Sequence, residues 1–350
     1  MAYTTIDNPE LYFQNKLYTG NATDDTAITL DGDENMQPDW VWIKDRTNGN
    51  HHRLYDSVRG ATKVIYSSLS NAEGTASDGL KSFDSDGFTL GDGSDENGNS
   101  ANFVSWNWKA GTAFSNDASA TSVGTIDSSG SINTDAGISI ISFTGTGSAA
   151  TIAHGLGKEV DCILIKNRND SAQWSFYHRS LGGTKYMAIN STSAAGTAST
   201  QWNNTDPTSS VFSVGTSNNT NDSSDGMIAI LFSSIKGYSK FGSYTGNGNS
   251  DGPFIYTGFS PSMVIFKNTD ASQDWVIKDN KRPGFNQVND VLYPNGSYAE
   301  GHGADIDFLS NGFKCRTTAD NTNKDGSAFI YMAFAEAPFT NSNGVPCNAR

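Results

Sequence analysis

One pattern recurs three times along these 350 residues, and that recurrence constrains the fold more than any other feature. Each copy opens with an aromatic residue before a Thr-Gly turn: Tyr18-Thr19-Gly20, Phe143-Thr144-Gly145 and Tyr244-Thr245-Gly246. About 20 residues later comes an apolar strand with a polar tip. These strands are Trp40-Val41-Trp42-Ile43-Lys44-Asp45-Arg46, Cys162-Ile163-Leu164-Ile165-Lys166-Asn167-Arg168 and Met263-Val264-Ile265-Phe266-Lys267-Asn268. A second strand follows each, at Arg53–Asp56, Trp174–Tyr177 and Asp274–Asp279. Each copy closes on another apolar, aromatic strand: Phe103–Trp108, Met227–Phe232 and Phe329–Phe334. Such segments, separated by Gly, Asn, Asp and Ser, are strand patterns bounded by turns.

The expected fold class is therefore all-β, with three tandem β-sandwich domains, each near 100 residues. Residues 13–111, 138–237 and 238–339 form the repeats. Residues 1–12 form an N-terminal arm, 112–137 a Ser/Gly-rich flexible linker, and 340–350 a C-terminal tail. Copies two and three abut at Lys236-Gly237-Tyr238 and are expected to pack as a rigid pair, with copy one tethered to them. Copy three departs most, because Lys281-Arg282-Pro283-Gly284 stands where copy one has Tyr55-Asp56-Ser57-Val58-Arg59-Gly60.

Composition narrows the function. The formal net charge is −14, which repels phosphate and argues against a nucleic-acid partner. No apolar run approaches the ~20 residues of a membrane helix, and the start carries no secretory signal pattern, so synthesis in a cytoplasm is expected. Cys162, Cys315 and Cys347 are widely spaced and lack a CxxC pairing, which reads as isolated thiols. The five histidines fall in no HExxH pattern, and no GxSxG or phosphate-binding loop is present. The expectation is a protein that is not an enzyme and has no cofactor. Calcium is the one ion with a foothold in the sequence. Asp31-Gly32-Asp33-Glu34-Asn35 begins like a calcium loop but places Met36 and Trp42 where glycine and glutamate belong. Asp92–Asn97 and the pair Asp84 and Asp86 are further acidic loops.

Contact with sugars is the more plausible chemistry. Aromatic faces offer platforms to sugar rings while Asn and Arg tips bond hydroxyls. Trp202 with Asn203, in a polar loop, is the first candidate, and Trp42 with Arg46 the second.

Trp42-Ile43-Lys44-Asp45-Arg46, Leu54–Gly60, Phe83–Phe88 and Trp106–Gly111, together with the ending Ala335–Phe339 and Asn343–Pro346, resemble a repeat domain of uncharacterised function in virion proteins of marine bacteriophages. The resemblance covers nearly the whole chain and carries no known active site. It implies sandwiches of jelly-roll or concanavalin-like character in a virion structural protein, either a tail or fibre appendage or an outer capsid decoration. Its partners would be other virion proteins, with homo-oligomer formation expected. A host-surface carbohydrate-binding adhesin is the alternative reading, and a polysaccharide depolymerase a further one.

Overall fold

The computed structural model describes residues 3–347. It is all-β, built from antiparallel sheets with only single-turn helices between strands. One strand order occurs three times: opening, closing, apolar, second. In the first unit these are Phe13–Thr19, Asn102–Trp108, Trp40–Asp45 and Arg53–Asp56. The second unit uses Ile138–Thr144, Gly226–Phe232, Cys162–Asn167 and Ser175–His178, and the third Ser239–Thr245, Ala328–Pro338, Phe259–Asn268 and Val276–Asp279. A smaller sheet accompanies each: Thr26–Ile28 with Gly87–Leu90 and Leu80–Asp84; Ala150–Ala153 with Val211–Val214; and Phe254–Tyr256 with Gly312–Cys315, Gly301–Leu309 and Val288–Val291.

Successive side chains on a strand point to opposite faces, and here both faces are buried. Val41, Ile43 and Phe103 pack in a core with Phe88 and Leu90 of the first unit's own smaller sheet. Ile163, Ile165 and Leu231 do so with Phe212, and Val264, Phe266 and Ala333 with Phe313. The other faces meet in one shared core: Trp40, Trp42, Trp106 and Trp108 with Cys162, Leu164, Ile230 and Phe232, and with Met263, Ile265, Met332 and Phe334. Strands buried on both sides read as continuous apolar runs rather than alternating ones, which is the pattern these segments carry.

The shared core corrects the expected linker. Residues 112–137 contain two strands, Thr112–Asn116 and Ser128–Asn133, which extend the second unit's large sheet beyond Ile138–Thr144. The buried serines of the inner strand are satisfied, Ser128 Oγ donating to the Ala153 carbonyl at 3.0 Å and Ser131 Oγ accepting from Gly111 N at 2.9 Å, so a composition read as flexible serves as strand. The first unit is not tethered but packed against both of the others. The N-terminal arm is bound as well: Thr4 and Ile6 are buried, and Tyr3 Oη donates to the Gly258 carbonyl at 2.8 Å. In the tail, the amide of Ser342 donates to Asp7 at 2.6 Å.

The Thr-Gly signature has a steric cause. Gly20, Gly145 and Gly246 each lie against the backbone ending a short helix: Asn97-Gly98, Asn221-Asp222 and Asn323-Lys324. A Cβ at any of the three would collide with those carbonyls. Asn97, Asn221 and Asn323 lock the junction, their Oδ1 accepting from Asn21 N (2.9 Å), Thr146 N (2.8 Å) and Asn247 N (2.8 Å).

Candidate functional site

The apolar strand ends alike in every unit. Asp45, Asn167 and Asn268 accept, through Oδ1, from the amides two and three residues on, a turn that Asp and Asn side chains favour. Just before it, Lys44, Lys166 and Lys267 are fully buried. Each Nζ donates to the next residue's carbonyl and to one four residues on. Burial pushes all three ammonium groups down to about 8, because desolvation disfavours the charged form.

This turn aims the following residue at the neighbouring unit. Glu73 N donates to Arg168 O at 2.9 Å, Ala195 N to Thr269 O at 2.9 Å, and Glu300 N to Arg46 O at 2.8 Å. Unit two thus holds unit one, unit three holds unit two, and unit one holds unit three, so the contacts close into a ring. Two seams add a forked ion pair. Arg168 reaches Glu73 at 2.9 and 3.1 Å, and Arg46 reaches Glu300 at 3.0 and 2.6 Å. Such bidentate pairs fix geometry as well as adding energy. At the remaining seam Thr269 and Ala195 share only a backbone bond, and Gln273 N adds another to the Thr192 carbonyl at 2.9 Å. A second ring lies deeper. Trp174 Nε1 donates to Tyr66 O at 2.8 Å and Trp275 Nε1 to Ala188 O at 3.0 Å. The matching position in unit one is His52, which accepts from Trp42 Nε1 at 2.8 Å. The Tyr293 carbonyl acts on its ring, but Nε2 makes no hydrogen bond of good geometry.

Beneath two seams sits a buried ion pair, Asp56–Arg59 in unit one and Asp279–Arg282 in unit three, with both partners fully enclosed. Each arginine also bonds a carbonyl of the second strand, Leu54 at 3.0 Å or Ile277 at 2.9 Å, and reaches Glu73 or Glu300. Copy three lacks the run of letters found in copy one but keeps this ion pair. The Asp-x-x-Arg spacing survives although the surrounding letters changed. Unit two is the divergent one: His178 and Leu181 occupy those places, and His178 Nε2 lies 3.2 Å from the Tyr331 carbonyl.

The sugar-contact candidates are dispersed. Trp202 is 1% exposed, packed edge-on against Tyr177, because a short helix at Ser199–Trp202 turns its ring inward. Asn203 ends that helix in the left-handed conformation and stays exposed. Trp42 is likewise 1% exposed, in the shared core. Neither indole can offer a face to a ligand. Arg46 is the ring contact just described. Glu73, Glu300, Trp174 and Trp275 were missed as seam residues, and the repeated position of Arg46 and Arg168 was the signal that could have found two of them.

Other groups are satisfied locally. Asp31 pairs with Lys16 at 2.5 Å, and Asp84 accepts from Ser82 and Thr89 across its hairpin. Within Asp92–Asn97, Asp95 and Glu96 pair with Arg53. Carboxylates come together instead at Asp170, Asp222 and Asp225, whose oxygens lie within 4.8 Å of one another. Cys162 and Cys315 are buried free thiols and Cys347 an exposed one. Burial holds His154 and His178 down to about 4, so both are neutral near pH 7. His51 lies 2.9 Å from Ser68 Oγ, but among the described residues no hydrogen bond joins its ring to a carboxylate. No helix among the described residues is long and apolar enough to cross a membrane.

No curated protein and no solved structure matches the chain. The family model described as "Domain of unknown function (DUF7483)" matches residues 8–338, a span that takes in all three units and their seams, and the chain belongs to that family.

Proposed function

We propose that this chain is a non-enzymatic structural component of a bacteriophage particle, a tail or fibre appendage or an outer capsid decoration. In this reading three tandem β-sandwich domains work as one interlocked body. The observation that carries the structural role is the ring of backbone bonds at Glu73, Ala195 and Glu300. Head-to-tail contacts between like units close when the rotation between them completes a circle. Here one chain contains the whole circle, so no unit-to-unit contact is left for a second copy to extend. Partners, including further copies of the chain, would then bind the outer faces. A body of this kind suits a seat with threefold symmetry. The link to phage particles rests on the sequence resemblance.

Quantitative mass spectrometry of purified particles, with antibody labelling under the electron microscope, tests the reading. Recovery at a copy number matching a symmetric set of sites supports it. Absence from purified particles that carry the gene would overturn it.

A further inference from the structure

We propose a binding site for acidic oligosaccharides, sugars bearing carboxylate or sulfate groups, in a groove on the third unit. The groove has a volume of about 370 Å³ and is lined in part by Tyr3, Lys236, Lys240, Phe241 and Tyr256. Tyr256 is 48% exposed and Phe254, on the same strand face, 45%. The Tyr3 and Tyr256 hydroxyls lie 3.1 Å apart at the rim. Lys236 Nζ sits 4.4 Å from the Tyr3 ring centre, and Lys240 Nζ 5.2 Å from that of Tyr256. Among the described residues neither lysine forms an ion pair with a carboxylate. Lys240 donates to the Tyr256 carbonyl at 2.7 Å, which anchors the ammonium and leaves two of its three protons free.

The repetition of the fold shows what is special here. Strand register matches Lys240 with Gln14 and Ser139, since these residues pair with Ala333, Asn107 and Leu231 at one position of the three closing strands. Gln14 is consumed by Gly32 N and the Glu10 carbonyl, and Ser139 by the His154 carbonyl. Register likewise matches Tyr256 and Phe254 with Thr29 and Ala27, and with Ala153 and Thr151. Two copies close this corner with internal hydrogen bonds and small side chains. The third opens it, adds two exposed aromatics and places cations beside them. Both rings stay about half exposed, so much of the aromatic surface that the substitution adds is left facing solvent.

The chemistry points to one ligand class. A Tyr face with a hydroxyl at its edge suits a sugar ring, which is apolar on its C–H face and polar at its rim. Ammonium groups beside it supply charge-assisted bonds to an anionic substituent. At physiological salt, fields are screened within ~8 Å, so these local cations outweigh the chain's distant negative charge. The site does not depend on where the protein sits in a particle.

The test is calorimetric titration of the full chain with three probes: a galacturonate tetramer, a chondroitin sulfate tetrasaccharide and neutral maltotetraose. Binding of at least one acidic probe is expected, weakening as NaCl rises, with no binding of the neutral one. Tyr256→Ala and Lys240→Gln should each reduce affinity roughly tenfold, the worth of one stacking or charge-assisted contact. Tyr298→Ala, an exposed ring elsewhere, should leave it unchanged. Lys236→Gln gives a second cation variant should Lys240→Gln lower the melting temperature. Failure of both acidic probes to bind, equal binding of maltotetraose, or full affinity in both groove variants would overturn the proposal. None of these outcomes bears on particle association.

Discussion

Trp108 and Phe334 hold the same position on the first and third closing strands, and their ring centres lie 5.4 Å apart. Phe232, their counterpart in the second unit, completes the triangle at 6.4 Å from Trp108 and 5.4 Å from Phe334. Each unit thus contributes one ring to a contact that none could make alone. Phe232→Ala should cost about 3–5 kcal/mol, the usual range for removing a buried ring. Because the triangle belongs to all three units, loss should appear as a lower urea midpoint of a single transition. Separate transitions for separate units would show that the shared core does not couple them.

The buried pair Asp56–Arg59 is strong only while intact. Asp56→His alone leaves Arg59 enclosed with only the longer contact to Glu73, at 3.4 Å, and should cost about 3 kcal/mol. Unit two shows the alternative, since His178 and Leu181 fill the same places without a pair. The double change Asp56→His with Arg59→Leu should therefore cost less than Asp56→His by itself. A double-mutant cycle measured by urea unfolding gives the coupling. A double variant less stable than the single would refute this account.

How much of this was legible in the sequence follows from what kind of information each feature needs. The three units and their strands were readable, because Trp40–Asp45, Cys162–Asn167 and Met263–Asn268 carry local periodicity and turn residues. That both faces of those strands are buried was also written there, in runs without polar alternation, but its meaning depends on a second surface that only the closed ring supplies. The linker misled because Ser128-Ser129-Gly130-Ser131 has loop composition, and pairing with Ile138–Thr144 overrides composition. Trp202 misled for a related reason: polar neighbours say nothing about which way a four-residue helix turns its last ring. The Asp-x-x-Arg pair of unit three was present in the letters but hidden by matching whole runs instead of two interacting positions. The lysine groove was not legible at all, since Tyr3, Lys240 and Tyr256 come from distant segments.

Gly145 tests the steric reading of the Thr-Gly signature. Its backbone adopts no left-handed conformation, so alanine carries no torsional penalty there. The added methyl would instead strike the carbonyl of Asp222 and the backbone of Asn221. Gly145→Ala should destabilise by about 1–3 kcal/mol, as overpacking does. Gly157→Ala makes a useful contrast, because its φ is +65° and nothing lies within 4 Å of the new Cβ. Loss there would arise from torsion alone. Comparing the two urea midpoints, together with an alanine at Gly20, separates steric from torsional cost. A neutral Gly145→Ala would remove the explanation given for the signature.

Glu96 gives a pH dependence of definite sign. Its carboxyl is 1% exposed and burial pushes it up from 4.5 to about 7, with Arg53 and the Tyr55 hydroxyl pulling the other way. Between pH 4.5 and 7 the folded chain holds a proton that the unfolded chain has released. The stability contributed is complete below pH 4.5 and is lost as pH rises through 7. Glu96→Gln keeps the shape but cannot ionise, while Arg53 retains Asp95 as a partner. The stability of the parent minus that of the variant should therefore fall across this window, by about 3 kcal/mol at most, and be level on either side. His154 and His178, held down to about 4 by burial, oppose this trend in the parent, since acid charges them in the unfolded chain first. Both proteins share them, so they cancel in the difference. Urea unfolding of the two proteins at closely spaced pH values from 4 to 8 decides it: a difference that grows with pH would mean that the pairing with Arg53 overrides burial.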